Sequence, residues 1–350
     1  MRSLTEFQHY LHTWNHAYTG RASTAIYQVL RANGVSGTRV LVPANICYAA
    51  VLPILYSGNS PAFIDVGSDG NIMLTDVQAA RKCRLRAAVV PHMYGNPCQD
   101  VGAICEYLRQ HGVIVIEDCA LAMGAEVGGQ MVGTFGDYAV FSFGYSKTID
   151  AGYGGLIVSP RSLEGEERAS GELEVYDSSI GDELSLLSQL YRVLRNGRET
   201  AFTRHVYRAI PRHYRRCFLF RGTRWHYEML ERKLETLSAI VQERWASLAA
   251  YESAMEFPPE LSRYCFRDGA VPWRYNVLVS PECKPALIKH LLQRHVPVSD
   301  WYPVVARMFG VSRDFPRAAA MEAQILNFPL VGVSEAQIAD IANAVNEFWR

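Results

Sequence analysis

Short apolar runs and amphipathic stretches alternate through the first half of the chain. Arg39 to Val42, Ser60 to Val66, the run ending at Val90, Val113 to Ile116, Ala139 to Phe143 and Leu156 to Ser159 are apolar segments of strand length, rich in β-branched or aromatic residues. Leu4 to Tyr18, the run from Ala25 to Asn33 and Ala49 to Tyr56 carry apolar residues at helical spacing. A strand, helix, strand rhythm this tight predicts crossover units in a mostly parallel sheet. The second half reads differently. Glu164 to Glu183 is acidic and polar and predicts a loop and a helix cap, whereas Tyr227 to Met255 predicts one long helix. Trp273 to Ser280 and Pro285 to Gln293 predict a strand and a helix, and a closing helix runs from an N-cap at Ser334 to Trp349. The expected division is an N-terminal helix over 1–18, a large domain over 19–240 and a smaller α/β domain over 241–350.

Composition narrows the partners more than the fold. The chain has 350 residues and a formal net charge of zero, so no overall field favours nucleic acid or a membrane surface. Its eight cysteines show no C-x-x-C or Cys/His spacing, which predicts buried thiols in the cytoplasm and neither a disulfide framework nor a metal site. No apolar run reaches the length of a membrane helix.

The candidate chemistry lies between His111 and Gly155. The strand Val113 to Ile116 ends in Glu117-Asp118, which puts a carboxylate at a strand's carboxyl end, where open α/β sheets bind ligands. Beyond the next strand come Lys147 and the cluster Gly152, Gly154, Gly155. A lysine amine can form a Schiff base with the aldehyde of pyridoxal phosphate, and a carboxylate can keep the pyridine nitrogen protonated. Upstream, Gly20-Arg21-Ala22-Ser23-Thr24-Ala25 opens a helix with small hydroxyl residues, a pattern that suits an anion as well as an ordinary N-cap. His92 at a strand end is either a cofactor-side group or a histidine satisfied by backbone.

The stretches GRASTAIYQVL, VPANICYAAVLPILYSGNSPAFIDV, VVPHMYGNPCQDVGAI, HGVIVIEDCALAMGA and VGTFGDYAVFSFGYSKTIDAGYGGLIVS resemble the DegT/StrS-type family of pyridoxal-phosphate-dependent aminotransferases. The resemblance is collinear from about residue 20 to 160, fades from about 165 to 235, and returns towards the C-terminus. It implies a fold-type I transferase of the aspartate aminotransferase kind, with a mostly parallel mixed sheet in the large domain, and a homodimer. It implies Lys147 and Asp118 as catalytic residues, Ser23, Thr24, Ala25 and Ser142 at the cofactor phosphate, and Arg274 and Tyr302, with His92, as substrate-side contacts. The family's ring-stacking aromatic aligns with Cys47, with Tyr48 one place later, and Leu121 stands where the family commonly has a Gln near the cofactor 3-hydroxyl. Sugar dehydratases of the family carry His in place of the lysine, so Lys147 favours transfer of an amino group from an amino-acid donor, glutamate, to a keto acceptor such as a nucleotide-linked sugar. Another pyridoxal reaction (decarboxylation, elimination or carbon–carbon bond formation) and a non-catalytic regulatory member are the alternatives. Tyr191 to Trp225 carries ten arginines against a single acid, Glu199. That stretch is read either as a solvated or subunit-facing surface or as an anion-binding insertion for a diphosphate, a carboxylate or a carrier-protein arm.

Overall fold

The computed structural model describes residues 2–80, 84–196 and 201–350. Helix α1 (Arg2–Thr13) gives way at once to strand β1 (Asn15–Thr19). The helical pattern to Tyr18 is therefore broken five residues early. Asn15 to Thr19 instead pair antiparallel with Ser159 to Gly155, a tertiary contact that no local periodicity announces.

Next come α2 (Ala22–Ala32), β2 (Arg39–Pro43), α3 (Tyr48–Tyr56), β3 (Ser60–Ile64), α4 (Leu74–Ala79), β4 (Leu85–Pro91), α5 (Val101–Gln110) and β5 (Ile114–Asp118). A short hairpin, β6 (Glu126–Val127) and β7 (Gln130–Met131), leads into β8 (Tyr138–Ser142) and β9 (Gly155–Ser159). The main sheet has seven strands in the order β1-β9-β8-β5-β4-β2-β3. Its β8, β5, β4, β2 and β3 run parallel, while β9 and β1 are antiparallel to their neighbours. Parallel strands covered by helices on both faces must be apolar throughout, and Val40, Val42, Val89, Val90 and Ile116 are fully buried.

The acidic stretch expected to form a loop and a helix cap folds as α6 (Glu164–Gly171) and the start of α7 (Ser178–Asn196), followed by α8 (Ala201–His213) and α9 (Arg215–Phe218). In place of one helix from Tyr227 there are two, α10 (Arg224–Leu234) and α11 (Leu237–Ala254). The break has a packing cause. Leu230, Leu234 and Leu237 bury with Phe143 and Ile149 under the main sheet, whereas Tyr251 belongs to a second core. The expected domain boundary at 240 thus falls inside α11, which reaches from one core to the other.

That second core covers a three-stranded antiparallel sheet, β10 (Leu261–Arg263), β11 (Tyr275–Val279) and, after α12 (Lys284–Gln293) and α13 (Pro316–Gln324), β12 (Ile325–Phe328). Tyr251 stacks on Tyr275 at 4.5 Å. The closing helix α14 (Glu335–Trp349) starts in a capping box between Ser334 and Gln337. Among the described residues, no helix is long and apolar enough to cross a membrane.

Candidate active site

The carboxyl ends of β2, β4 and β5 open on one side of the main sheet, and the loop after β8 folds over them. Asp118, the last residue of β5, is buried, and its Oδ1 accepts the Ala120 N–H at 3.0 Å. Burial pushes its carboxyl above the usual range, opposed by the Lys147 ammonium, the Ala120 N–H and His92. Lys147 shares the same small pocket, and burial lowers its ammonium pKa, while Cys47 and Asp118 hold it up and Arg21 and Arg274 push it down. A lysine whose charge burial disfavours, beside a buried acid, marks a candidate reactive site.

The lysine loop is bolted from outside. Ser146, at a left-handed φ of 62°, gives its N–H to Asp150 Oδ2 at 2.7 Å. Its carbonyl accepts the Trp273 Nε1–H at 2.7 Å, and the Lys147 carbonyl accepts Arg244 Nη2–H at 3.0 Å. Trp273 in turn is fixed through its own N–H to the Tyr94 carbonyl at 3.1 Å. Gly95 lies in the same turn, where a Cβ would come within 1.9 Å of the Val271 carbonyl oxygen.

Strand alternation turns Glu117 to the face opposite Asp118. Its fully buried carboxylate accepts N–H bonds from Gly133 (2.8 Å), Phe135 (2.7 Å) and Gly136 (2.5 Å). Its fourth donor is His92 Nε2 at 3.2 Å. His92 Nδ1 accepts the Cys98 N–H at 3.0 Å, so the ring proton resides on Nε2. His92, Glu117 and Cys119 bring ligand-type atoms within 4.8 Å of one another. Both His92 nitrogens and both Glu117 oxygens are already spent on these hydrogen bonds, so the cluster acts as a packed support. Glu117 carried no chemical signal in the sequence beyond being a carboxylate inside an apolar strand.

The pocket brings together Cys47, His92, Asp118, Leu121, Lys147 and Tyr302, with Ile46 and Met93 as walls that sequence reasoning missed. Tyr48 lies elsewhere. Its hydroxyl donates to the Tyr207 carbonyl at 2.9 Å and its ring stacks on Phe309 at 5.2 Å, so the aromatic next to Cys47 serves the packing of α8. Ser142 is buried at the end of β8, and its Oγ meets only the Gly144 N–H among the described hydrogen bonds, at 3.4 Å. Arg274 does not line the pocket; its guanidinium lies 4.9 Å over the Trp273 ring.

Ser23 and Thr24 meet protein where an anion was expected. Both hydroxyls donate to the Phe218 carbonyl, at 2.8 and 3.0 Å, and Arg21 Nη1 donates to the Cys217 carbonyl at 3.1 Å. Ala25 sits inside the first turn of α2, its N–H on the Arg21 carbonyl. Gly20 is required here because a Cβ would lie 2.1 Å from the Phe220 carbonyl oxygen. The arginine-rich stretch supplies this strap, and several of its charges are neutralised internally. Arg215 lies over Tyr27 at 5.6 Å, Arg216 reaches Glu174, Asp177 and Glu183, and Arg224 pairs with Glu228. Residues 197–200 of that stretch lie outside the described residues.

The model of the DegT/DnrJ/EryC1/StrS aminotransferase family matches residues 4–346. The chain belongs to this family. Among curated relatives it is 34% identical to a GDP-perosamine synthase of Vibrio cholerae over 157 residues, 44% of this chain and 42% of that one. It is 36% identical over 178 residues to the UDP-N-acetyl-3-dehydro-alpha-D-glucosamine 3-aminotransferase of Acidithiobacillus ferrooxidans, 49% of this chain and 48% of the relative. The matches thus span less than half the length of these curated relatives. Among solved structures, the aminotransferase TlmJ of Streptoalloteichus hindustanus superposes with a TM-score of 0.76 at 21% identity, covering 99% of this chain and 90% of that one. DesV of S. venezuelae gives 0.74 at 24% identity, covering 98% and 87%. These two likenesses show the fold.

Proposed function

We propose that this protein is a pyridoxal-phosphate-dependent aminotransferase that moves an amino group from an amino-acid donor, glutamate, to a keto substrate of the nucleotide-linked sugar class. The observation that carries this reading is the pairing of Lys147, whose ammonium burial disfavours, with the buried Asp118 in one pocket. Family membership and the sugar-nucleotide names of the curated relatives support the substrate class.

The donor set suits the ring end of the cofactor. Asp118 offers a carboxylate able to hold a proton on a pyridine nitrogen, and Lys147 offers the amine. At the other end, the first N–H groups of α2 have no partners within the helix and are an anion site by geometry, although the neighbouring hydroxyls are engaged by the strap. When bound, pyridoxal phosphate supplies an aldehyde and an electron-withdrawing ring.

The chain's own residues divide the remaining work. His92 has both ring nitrogens engaged and positions its surroundings. Burial raises the Tyr302 phenol well above its usual value and keeps it neutral. Lys147 Nζ is therefore the group suited to take a proton from the donor's Cα and return it. Leu121, Met93 and Tyr302 exclude water from that transfer.

We read the enzyme as a cytoplasmic homodimer. All seven described cysteines are unpaired, and Tyr145, two residues before Lys147, is 82% exposed where a second copy would close over the lysine loop. The test is the absorption of protein reconstituted with cofactor, alone and with glutamate, beside Lys147→Ala. A cofactor band that requires Lys147 and shifts with glutamate, releasing 2-oxoglutarate, is expected. A band indifferent to every amino acid offered would refute transamination.

A further inference from the structure

At the phosphate end of the site, residue type and tertiary structure point to different groups. Ser23 and Thr24 have the chemistry for an anion, yet both hydroxyls donate to the Phe218 carbonyl. Strand alternation brings up another set. Val140 of β8 and Ile157 of β9 pair and pack with Ala25, Ile26 and Val29 of α2, while Ala139, Phe141 and Leu156 bury on the opposite face. Ser142, two residues beyond Val140, therefore faces the start of α2, and so does Asp118, which pairs with Val140 from β5. The partner of Ser142 on β9 is Gly155. A Cβ there would lie 2.4 Å from the Arg21 carbonyl carbon, so only glycine lets the first turn of α2 come down beside Ser142. The Ser142 side chain is buried, and its hydroxyl proton has no acceptor among the described hydrogen bonds.

Arg21 stands at this junction. It is the N-cap residue of α2, extended in its backbone and bridged to Gly154, and its side chain makes no cap. The guanidinium instead lies 5.5 Å over the Phe218 ring, and its one described hydrogen bond is from Nη1 to the Cys217 carbonyl at 3.1 Å. That uses one of five donors in a planar fork that suits a phosphate. The groups that offset the cost of burying its charge are the thiols of Cys47 and Cys217, with no carboxylate among them, and the same charge lowers the Lys147 ammonium pKa. Cys47 and Lys147 both line the pocket. A phosphate monoester carries about −1.5 to −2 charges at neutral pH. The N-terminus of a helix offers about +0.5, so a full cation beside it is needed to match the phosphate.

We propose that Arg21, with Ser142 and the first N–H groups of α2, holds the cofactor phosphate in place of the Ser23 and Thr24 hydroxyls. The assignment rests on the pyridoxal-phosphate reading and deepens it, since it names the charged ligand of that group. One Nη keeps the strap through Cys217 while the remaining donors of the fork serve the phosphate. A single side chain thus ties the strap to the loaded site.

Two aldehydes that differ only in the phosphate decide the matter, pyridoxal phosphate and pyridoxal. Cofactor-free wild type, Arg21→Gln, Arg21→Lys and Ser23→Ala are each titrated with either one, and dissociation constants are read from the absorbance. Loss of charge-assisted bonds of this kind corresponds to about a ten- to hundredfold fall in the preference of Arg21→Gln for pyridoxal phosphate over pyridoxal. Arg21→Lys should recover part of the preference, because it restores the charge without the fork, and it carries the test if Arg21→Gln does not fold. Ser23→Ala should keep the wild-type preference. The constants for pyridoxal should be alike in all four proteins, which establishes that their pockets are intact. An unchanged preference in both Arg21 variants would overturn the assignment. An equal loss for the two aldehydes would do the same and leave Arg21 as a tie for the strap alone. So would a Ser23→Ala preference that falls as far as that of Arg21→Gln, which would return the phosphate to the hydroxyl. Wild type that takes up neither aldehyde would refute the cofactor reading itself, and the assignment with it.

Discussion

Glu117→Gln is the sharpest perturbation of the support beneath the site. Glu117 Oε1 accepts from Phe135 and Gly136, and Oε2 accepts from Gly133 and His92. A glutamine keeps one oxygen and presents an NH₂ group to the other pair, so two donors lose their acceptor and face a donor instead. At about 1.5–3 kcal/mol for each bond to a charged acceptor, the loss is about 3–6 kcal/mol. With an unfolding entropy of about 2 cal/mol/K per residue, a chain of 350 residues should melt about 4–8 °C lower. Thermal unfolding of the cofactor-free protein by circular dichroism reads this directly. The effect should extend to the site, because the His92 N–H is bonded to the Asp118 carbonyl at 3.2 Å, and cofactor affinity should fall as well. A Glu117→Gln protein that melts within about 1 °C of wild type would show that the four donors do not depend on this carboxylate, and the support argument would collapse.

Other outcomes follow from the same geometry. Tyr48→Phe removes the bond to the Tyr207 carbonyl and should cost about 1 kcal/mol of stability while leaving the cofactor band unchanged; a lost band would return Tyr48 to the pocket. Gly95→Ala must place a Cβ 1.9 Å from the Val271 oxygen at a φ of 83°, so it should destabilise by about 3 kcal/mol or more, read by denaturant titration. Capture of pyridoxal phosphate, trapped by borohydride and weighed by mass spectrometry, should have its pH midpoint below that of an ordinary lysine because burial disfavours the Lys147 ammonium. Asp118→Asn removes an attraction and should lower that midpoint further, whereas Arg274→Gln removes a repulsion and should raise it; shifts of opposite sign would contradict the placement of these charges.

Much of the architecture was legible because it rests on local pattern. Runs such as Val113–Ile116 are apolar on both faces only if helices cover both faces, and they punctuate the chain at crossover spacing, so the parallel strands could be read from periodicity. Asp118 and Lys147 were legible for a related reason: each follows the end of a predicted strand, and strand ends meet on one side of a parallel sheet. The failures have a common cause. Asn15–Thr19 carries a helical pattern yet becomes a strand because β9 leaves an edge to pair with, and the run from Tyr227 breaks near Thr236 because its two halves bury in different cores.

What only the tertiary structure decided is how each polar side chain is used. Ser23 and Thr24 have the residue types of an anion site, but a strap nearly two hundred positions away in sequence claims their protons. Glu117 and Asp118 are adjacent acids of similar chemistry, yet the pleat sends one to a nest of N–H groups and the other to the lysine. Arg244 and Arg274 cannot be told apart by type, and only their surroundings make one a clamp on three carbonyls and set the other over the Trp273 ring. Residue type and spacing determined which groups are available and on which strand ends they lie. Which partner each group meets depends on contacts between segments distant in sequence, and those exist only once the sheet and its helices have closed.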